Sequence, residues 1–270
     1  MIRFLIKGGI MLIFSFSCAN TGNPDTSDAS FRRLHDQILT IDSHTDTPLN
    51  FTYDDFNFAE RHNPHEGGTK IDLPRMKEGS LDGVFFAVFL GQRERTEEGF
   101  LTAKNKAYQI FDSIFSIIEM NKEDLELAVD CRGFKKIARK GKHAIFIGLE
   151  NGYPIGKELS LVDTFYHLGA RYITLCHTKN NDICDSSTDP GGPEHGGLSG
   201  FGRRVVHRMN EIGMMIDVSH ISDDAFYDVI ELSTKPVIAS HSCARAVCDN
   251  PRNLDDDMLR ALAANGGVIQ

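Results

Sequence analysis

The chain lacks any concentrated block of Lys and Arg. It carries 29 basic and 38 acidic residues, which gives a net charge of −9 and a pI near 5.6. Proteins that bind nucleic acids neutralise the phosphates with a basic surface. The charge balance therefore argues against a nucleic-acid partner and favours a metal ion or a small molecule.

Three short motifs are also missing from the sequence. No two cysteines have Cys-x-x-Cys spacing, which argues against a zinc site built on thiolates. No G-x-S-x-G sequence occurs, so a serine nucleophile elbow is not expected. No G-x-G-x-x-G turn follows a predicted strand, and that turn is the usual phosphate-binding signature of a doubly wound open sheet.

The apolar run near the N-terminus, GGIMLIFSFS, is too short to span a bilayer. Basic residues Arg3 and Lys7 precede it and Cys18 follows it directly. This arrangement resembles a bacterial lipoprotein signal over residues 1–18, although Phe16 stands where a small residue is usual. We expect an exported bacterial lipoprotein, anchored through lipid on Cys18 to the periplasmic or surface face of a membrane. An ordinary secretory signal and an uncleaved anchor are the alternatives.

The polar residues 19–34 are expected to form a flexible tether. If Cys18 is lipidated, five of the six cysteines remain. Because five is an odd number, at least one thiol is unpaired or bonded elsewhere, and the pairing cannot be deduced.

Residues 35–270 alternate between strand-like and helix-like patterns. Near-continuous apolar runs, typical of buried parallel strands, occupy residues 37–42, 84–90, 144–149, 171–176, 214–219 and 236–241. Helical patterns occupy residues 97–120, 132–140, 159–168, 201–212, 222–232 and 254–264. This alternation predicts an α/β fold of the (β/α)8 TIM-barrel type. A seventh strand begins at 266–269, so we expect about six and a half units with the C-terminal strands missing. A doubly wound open sheet is the alternative.

Ionisable side chains follow the predicted strands at their carboxyl ends. His44 and Asp46 come after the first strand, and in extended backbone residues two apart point to the same side. The later strand ends carry one such residue each: Glu150, His177, His220 and His241. Each histidine alone would more often be structural. Several strand ends that meet on one barrel rim instead predict an active site.

These imidazoles and carboxylates are sufficient ligands for two divalent metals. Glu150 can bridge two ions, because a carboxylate has two oxygens with lone pairs. Two metals about 3.5–4 Å apart provide a hydroxide nucleophile at neutral pH and polarise a carbonyl. The residues alone therefore point to a binuclear metal hydrolase.

Five segments, taken together, resemble the membrane (renal-type) dipeptidase family from about residue 35 onwards. They are IDSHTDTP, GLENG, YITLCHTKNND…DSS, HGGLSGFGRRVVHRMNEIGMMIDVSH and PVIASHSCARAVCDNPRN. The resemblance implies a (β/α)8 barrel with two Zn²⁺ ions per chain. It also implies hydrolysis of dipeptides, including some with a D-residue at the carboxyl end.

The resemblance also implies roles for individual residues. One zinc would be held by His44, Asp46 and Glu150, and the other by Glu150, His220 and His241. His177 would stabilise the developing oxyanion, and Arg252 would pair with the free carboxylate of the substrate. The aspartate that handles protons in this family would lie beyond Gln270, so we do not expect residues 1–270 by themselves to form an active enzyme.

Two other functions remain open from the sequence. One is a binuclear amidohydrolase that acts on non-peptide amides, although such enzymes usually begin with His-x-His, and this chain has His44-x-Asp46. The other is a surface lipoprotein fragment that binds metal or peptide without catalysis. The sequence leaves open the preferred dipeptides and the formation of a homodimer.

Overall fold

The structure of the protein, a computed structural model, describes residues 24–53, 55–66 and 68–270. The predicted signal segment 1–18, with Cys18, lies outside the described residues. Helix α1 spans Pro24–His35 and belongs to a unit of its own that ends at Ile38. The segment expected to be a flexible tether is thus helical from Pro24 onwards. Basic residues in the last turn of α1 interact favourably with the negative end of the helix dipole. The prediction of a flexible tether did not consider this helix-stabilising charge pattern.

The second unit, Leu39–Gln270, contains one sheet of eight strands. The strands are β1 (Ile41–Thr45), β2 (Gly83–Phe89), β3 (Leu125–Leu127), β4 (His143–Glu150), β5 (Ala170–Thr174), β6 (Met215–Asp217), β7 (Ile238–Ala239) and β8 (Val268–Ile269). All pairings are parallel, in the order β1-β2-β4-β5-β6-β7-β8. The order follows the chain without the reversal of a doubly wound sheet, and the predicted α/β fold of the barrel type is confirmed.

Strand β3 was not predicted from the sequence. It pairs with the first half of β4, from His143 to Ile145, whereas β5 pairs with β4 from Ile147 onwards. A strand of three residues with a Glu at its centre has no apolar run to reveal it.

The sheet curls so that its first strand approaches its last two. Ser43 in β1 donates a hydrogen bond from Oγ to the carbonyl of Ser240, at 2.6 Å, just after β7. Its backbone N–H donates to Oε1 of Gln270, at 3.1 Å, just after β8. The carboxyl ends of the strands therefore face a common space.

Seven α-helices accompany the strands among the described residues of the second unit, together with the 3-10 turns Thr47–Asn50 and Tyr153–Ile155. The α-helices are α2 (Leu73–Glu78), α3 (Glu97–Met120), α4 (Cys131–Ala138), α5 (Ser160–His167), α6 (Gly200–Ile212), α7 (Asp223–Leu232) and α8 (Asp256–Asn265). Ser222 caps α7 by accepting a bond from the N–H of Ala225. Gly213 ends α6 in the left-handed region, with φ +80°. Among the described residues, every helix falls short of the length or the apolar character that crossing a membrane requires.

Two apolar layers pack against the sheet. The larger one lies between the strands and the helices and includes Val84, Phe86 and Ile147. The smaller one includes Phe85, Phe146 and Tyr172. In this smaller cluster, the ring of Phe85 stacks on Phe146 with centroids 4.7 Å apart and on Tyr172 at 5.2 Å. This aromatic stack positions the phenol of Tyr172 near the carboxyl end of β1.

Candidate metal centre

The five predicted metal ligands and the predicted oxyanion donor His177 converge at the carboxyl end of the sheet. His44 lies in β1 and Glu150 is the last residue of β4. The others follow β1, β5, β6 and β7 within three residues, and they are Asp46, His177, His220 and His241. The strand ends therefore bring these residues together at one end of the sheet.

Glu150 is at the centre of the group and is only 3% exposed. Its Oε1 lies 3.1 Å from Nε2 of His220, 3.4 Å from Nε2 of His241 and 3.6 Å from Nε2 of His177. Its Oε2 lies 3.3 Å from Nε2 of His44. The two carboxylate oxygens thus face different imidazoles, as a bridging ligand requires.

Asp46 approaches the group in a different way from the one predicted. It has left the strand, with φ −82° and ψ 10°, so the expectation that it shares a side with His44 in extended backbone is wrong. Its Oδ1 nevertheless lies 3.5 Å from Nε2 of His44. Its side chain is 54% exposed, so it lies on the solvent side of the centre.

Two groups of described residues each offer three possible metal-donor atoms. Within each group, the three atoms lie within 4.8 Å of one another. One group consists of His44, Glu150 and His241, and the other of Glu150, His177 and His220. The resemblance instead groups His44 with Asp46 and groups His220 with His241. Imidazole nitrogens and carboxylate oxygens are ligands that zinc accepts, so the donor set fits divalent metals in either grouping.

Local backbone features aim several of these side chains. The pairing of β1 with β2 is irregular between Asp42 and Thr45, an interval that contains His44, and bulges in strands re-aim side chains next to active sites. Asn151, after Glu150, has φ +77°, and His220 has φ +73°. Non-glycine residues rarely adopt such angles, and those that do concentrate at functional sites.

The electrostatics of the centre follow from one buried carboxylate. Burial opposes ionisation of Glu150, but hydrogen bonds from His220, His241 and His44 hold its pKa well below the usual range. Burial would also lower the pKa of His44, but hydrogen bonds to Asp46 and Glu150 raise it to about 10. Burial lowers the pKa of His220 to about 4. Ionised Glu150 needs positive charge beside it, and a divalent cation supplies such charge.

His177 and Arg252 flank the centre. The ring of His177 packs on Phe89 with centroids 4.8 Å apart, and burial lowers its pKa. Arg252 donates from Nη2 to the carbonyl of His241 at 3.1 Å. Burial lowers the pKa of Arg252, while the charges of Asp217 and Glu150 oppose that shift. Among the described residues, the guanidinium of Arg252 makes no ion pair with a carboxylate, and its Nη2 hydrogen bond goes to the backbone of His241.

The sequence reasoning missed a second layer of residues behind the ligands. Tyr172 places its hydroxyl 2.8 Å from Nδ1 of His44. Asp217 is completely buried at the end of β6. Burial alone would raise the pKa of Asp217, but the charge of His241 and hydrogen bonds from Thr174 and Ser240 hold it below its ordinary value. The sequence signal that could have revealed Asp217 is its position as a charged residue inside the apolar run MMIDVS.

The cysteines of the described region take no part in this centre. All five thiols beyond Cys18 are free in the structure, and two of them, Cys176 and Cys184, are buried. Of the two alternatives in the prediction, a thiol that is unpaired or one that is bonded elsewhere, the described residues show unpaired thiols.

Comparisons with known proteins agree with this geometry. The model of the membrane dipeptidase family (peptidase family M19) matches residues 28–270. Dipeptidase tcpJ of Claviceps purpurea (strain 20.1) is 35% identical over 222 residues, or 80% of this chain and 52% of the relative. Dipeptidase 3 of Homo sapiens is 34% identical over 256 residues, or 92% of this chain and 50% of the relative.

A solved structure supports the same assignment. The crystal structure of the probable dipeptidase PvdM from Pseudomonas aeruginosa matches with a TM-score of 0.83 and 31% identity, covering 92% of this chain and 63% of that one. The chain spans about half the length of the curated relatives it matches. The family match covers most of the sequence and includes every residue of the centre, so the chain belongs to the membrane dipeptidase family of metallopeptidases, peptidase family M19.

Proposed function

We propose that the intact protein is a zinc-dependent dipeptidase that hydrolyses the peptide bond of dipeptides, including those with a D-residue at the carboxyl end. One observation carries this proposal. In a chain of this family, four imidazole nitrogens surround the buried carboxylate of Glu150 at 3.1–3.6 Å. The inclusion of substrates with a D-residue rests on the sequence resemblance.

Two zinc ions would be held by the residues that the resemblance assigns. His44, Asp46 and Glu150 would hold one ion, and Glu150, His220 and His241 the other. When bound, the metals supply Lewis acidity towards the scissile carbonyl and a water that ionises near neutral pH. The chain contributes a fixed set of ligands, because each stands at or just after the end of a buried strand.

His177 would stabilise the negative charge that develops on the carbonyl oxygen. Its lowered pKa keeps the ring neutral at pH 7, and a neutral imidazole has one N–H to donate. The ring is held between Phe89 and His220, at centroid distances of 4.8 and 4.2 Å. A donor that is already oriented stabilises the transition state without reorganising during the reaction.

Arg252 would bind the free carboxylate of the dipeptide. Nη2 of Arg252 donates to the carbonyl of His241, and within the described part of the chain Nη1 has no hydrogen-bond partner and could donate to a substrate carboxylate. Charge-assisted hydrogen bonds are stronger where water is excluded. A clamp on a carboxylate one residue beyond the scissile bond selects dipeptides over longer chains.

The test combines metal analysis with hydrolysis assays on the intact protein. We expect about two zinc ions per chain and turnover of dipeptides, with little turnover of cyclic amides or nucleobases. Metal without dipeptide turnover, together with hydrolysis of cyclic amides, would instead identify an amidohydrolase. Metal binding with no turnover of either substrate class would identify a non-catalytic binding protein.

We also propose that the protein is exported and anchored by lipid on Cys18. The support for this is the short apolar run between Arg3 and Cys18, which lies outside the described residues. An exported location would place the enzyme near dipeptides that contain D-residues, such as those released from cell walls.

A further inference from the structure

Asp217 is a fully buried carboxylate outside the proposed set of metal ligands. Its Oδ1 accepts bonds from the backbone N–H groups of Ser219 and Ser240, both at 3.0 Å. Its Oδ2 accepts from Oγ1 of Thr174 at 2.5 Å and from Oγ of Ser240 at 2.7 Å. All four donors are uncharged. A buried carboxylate stays ionised only where such donors compensate for the lost water, which raises the question of what it does.

The bond to Ser240 connects Asp217 to a proposed metal ligand. Oγ of Ser240 also lies 2.8 Å from Nδ1 of His241. The structure therefore contains an unbroken path from the carboxylate, through one hydroxyl, to one imidazole.

Proton counting fixes the direction of each bond along this path. A serine hydroxyl has one proton, and an ionised carboxylate can only accept. The proton of Ser240 therefore points to Asp217, and the serine oxygen presents a lone pair to His241. Nδ1 of His241 must then carry the ring proton. Because a neutral imidazole has a single N–H, Nε2 of His241 keeps its lone pair.

Nε2 of His241 is the nitrogen that faces the centre. It lies 3.4 Å from Oε1 of Glu150 and 2.8 Å from Nε2 of His220. The tautomer that the path enforces is thus the one in which His241 can bind a metal. His220 has no equivalent support, since its Nδ1 is buried without a hydrogen-bond partner among the described residues.

We propose that Asp217 is a positioning residue, which acts through Ser240 to hold His241 in the Nδ1–H tautomer and so to prepare Nε2 for metal binding. The inference rests on the proposed metal centre and adds a residue to it. Partners of this kind behind a metal ligand typically change metal affinity by about 10–100-fold.

Two variants interrupt the path at different points, and two serve as controls. Asp217→Asn removes the charge at constant shape, and Ser240→Ala removes the connecting hydroxyl. Thr174→Val removes a different hydrogen bond from the same Oδ2 atom and leaves the path to His241 intact. Ser240→Thr keeps a hydroxyl at the connecting position.

The first measurement is zinc affinity, obtained by titrating the metal-stripped intact protein against a chelator of known affinity. We expect Ser240→Ala and Asp217→Asn to weaken the zinc affinity of one of the two sites by about 10–100-fold. Thr174→Val and Ser240→Thr should stay within a few-fold of wild type. If Ser240→Ala binds zinc as wild type does, or if Thr174→Val loses as much affinity as Ser240→Ala, the proposal is overturned.

The second measurement is nitrogen NMR of the histidine rings in the metal-stripped protein, which reports the tautomer directly. His241 should show a protonated Nδ1 and an unprotonated Nε2 in wild type, and the Nε2–H form should appear in Ser240→Ala. Nε2–H as the main form in wild type would refute the inference. This readout needs no metal, so a wild-type protein that binds no zinc would overturn the proposed function and still leave the tautomer tested.

Discussion

Replacing Arg252 with alanine tests the proposed recognition of the substrate. The guanidinium lies at the edge of the centre and its pKa is lowered by burial, so water screens it weakly. We expect Arg252→Ala to impair hydrolysis of a dipeptide by removing the partner of its free carboxylate. Arg252→Lys should recover part of the activity, because an ammonium supplies the charge without the two-pronged geometry.

The size of the effect follows from the number of bonds at stake. A hydrogen bond to an ionised partner contributes about 1.5–3 kcal/mol, which corresponds to a loss of roughly tenfold to a hundredfold in kcat/KM. The structure adds a second consequence. Nη2 of Arg252 also donates to the carbonyl of His241, so the substitution removes a support of a proposed ligand. Zinc content must therefore be measured on each variant beside the kinetics.

A dipeptide amide separates these two effects, because it lacks the carboxylate. Wild type should cleave the amide poorly, and Arg252→Ala should make little further difference to it. Both substrates are assayed on both intact proteins at equal zinc occupancy. An equal loss on acid and amide would refute the clamp and assign Arg252 a role in supporting His241.

Three further predictions concern the bridging ligand, the aromatic layer and the anchor. Glu150→Gln should bring zinc below two ions per chain by elemental analysis, because a neutral amide bridges two dications poorly; full retention of both ions would contradict the bridging role. Gly148→Ala places a Cβ 2.0 Å from Cζ of Tyr172. We expect it to lower the free energy of unfolding by about 3 kcal/mol and the Tm by roughly 6–12 °C. The control Gly200→Ala, whose Cβ meets no atom within 4 Å, should leave Tm nearly unchanged. Cys18→Ser should move the protein from the membrane fraction to the soluble fraction, since each buried methylene of a lipid anchor contributes about 0.8 kcal/mol; identical fractionation would exclude this anchor.

The sequence predicted the long elements well because their patterns are local. Helix α3 was expected at residues 97–120 and is observed at Glu97–Met120. Strand β4 was expected at 144–149 and spans His143–Glu150. In each case an apolar period extends over many residues and outweighs local irregularities.

Short elements and caps were predicted less well. Strand β1 was expected from residue 37 and begins at Ile41. Helix α5 was expected from residue 159 and begins at Ser160, and Leu159 precedes it without a side-chain cap. These boundaries depend on a few hydrogen bonds that composition alone does not specify.

The residues of the candidate site also divide into those that the sequence could predict and those that it could not. The residues at the strand ends could be predicted, because parallel strands place their carboxyl ends on one rim. The second layer could not, because it depends on contacts between strands far apart in sequence. Tyr172 reaches His44 across 128 positions, and Thr174 reaches Asp217 across 43. Pairing register and side-chain rotamers decide such contacts, and neither is visible in a single sequence.

Backbone strain and ligand position are connected at two of these strand ends. Asn151 and His220 adopt positive φ, an arrangement that costs on the order of 1–3 kcal/mol each. Each is held by a specific bond: Asn151 donates from Nδ2 to the carbonyl of Leu90, and the carbonyl of His220 accepts from the N–H of Ser187. A strand that continued in extended backbone would carry the chain away from the rim. Asn151 turns the chain immediately after Glu150. At His220, the left-handed backbone turns the proposed ligand itself towards Glu150. The buried strands thus supply a rigid base, and the strained residues at their ends set the direction of the ligands.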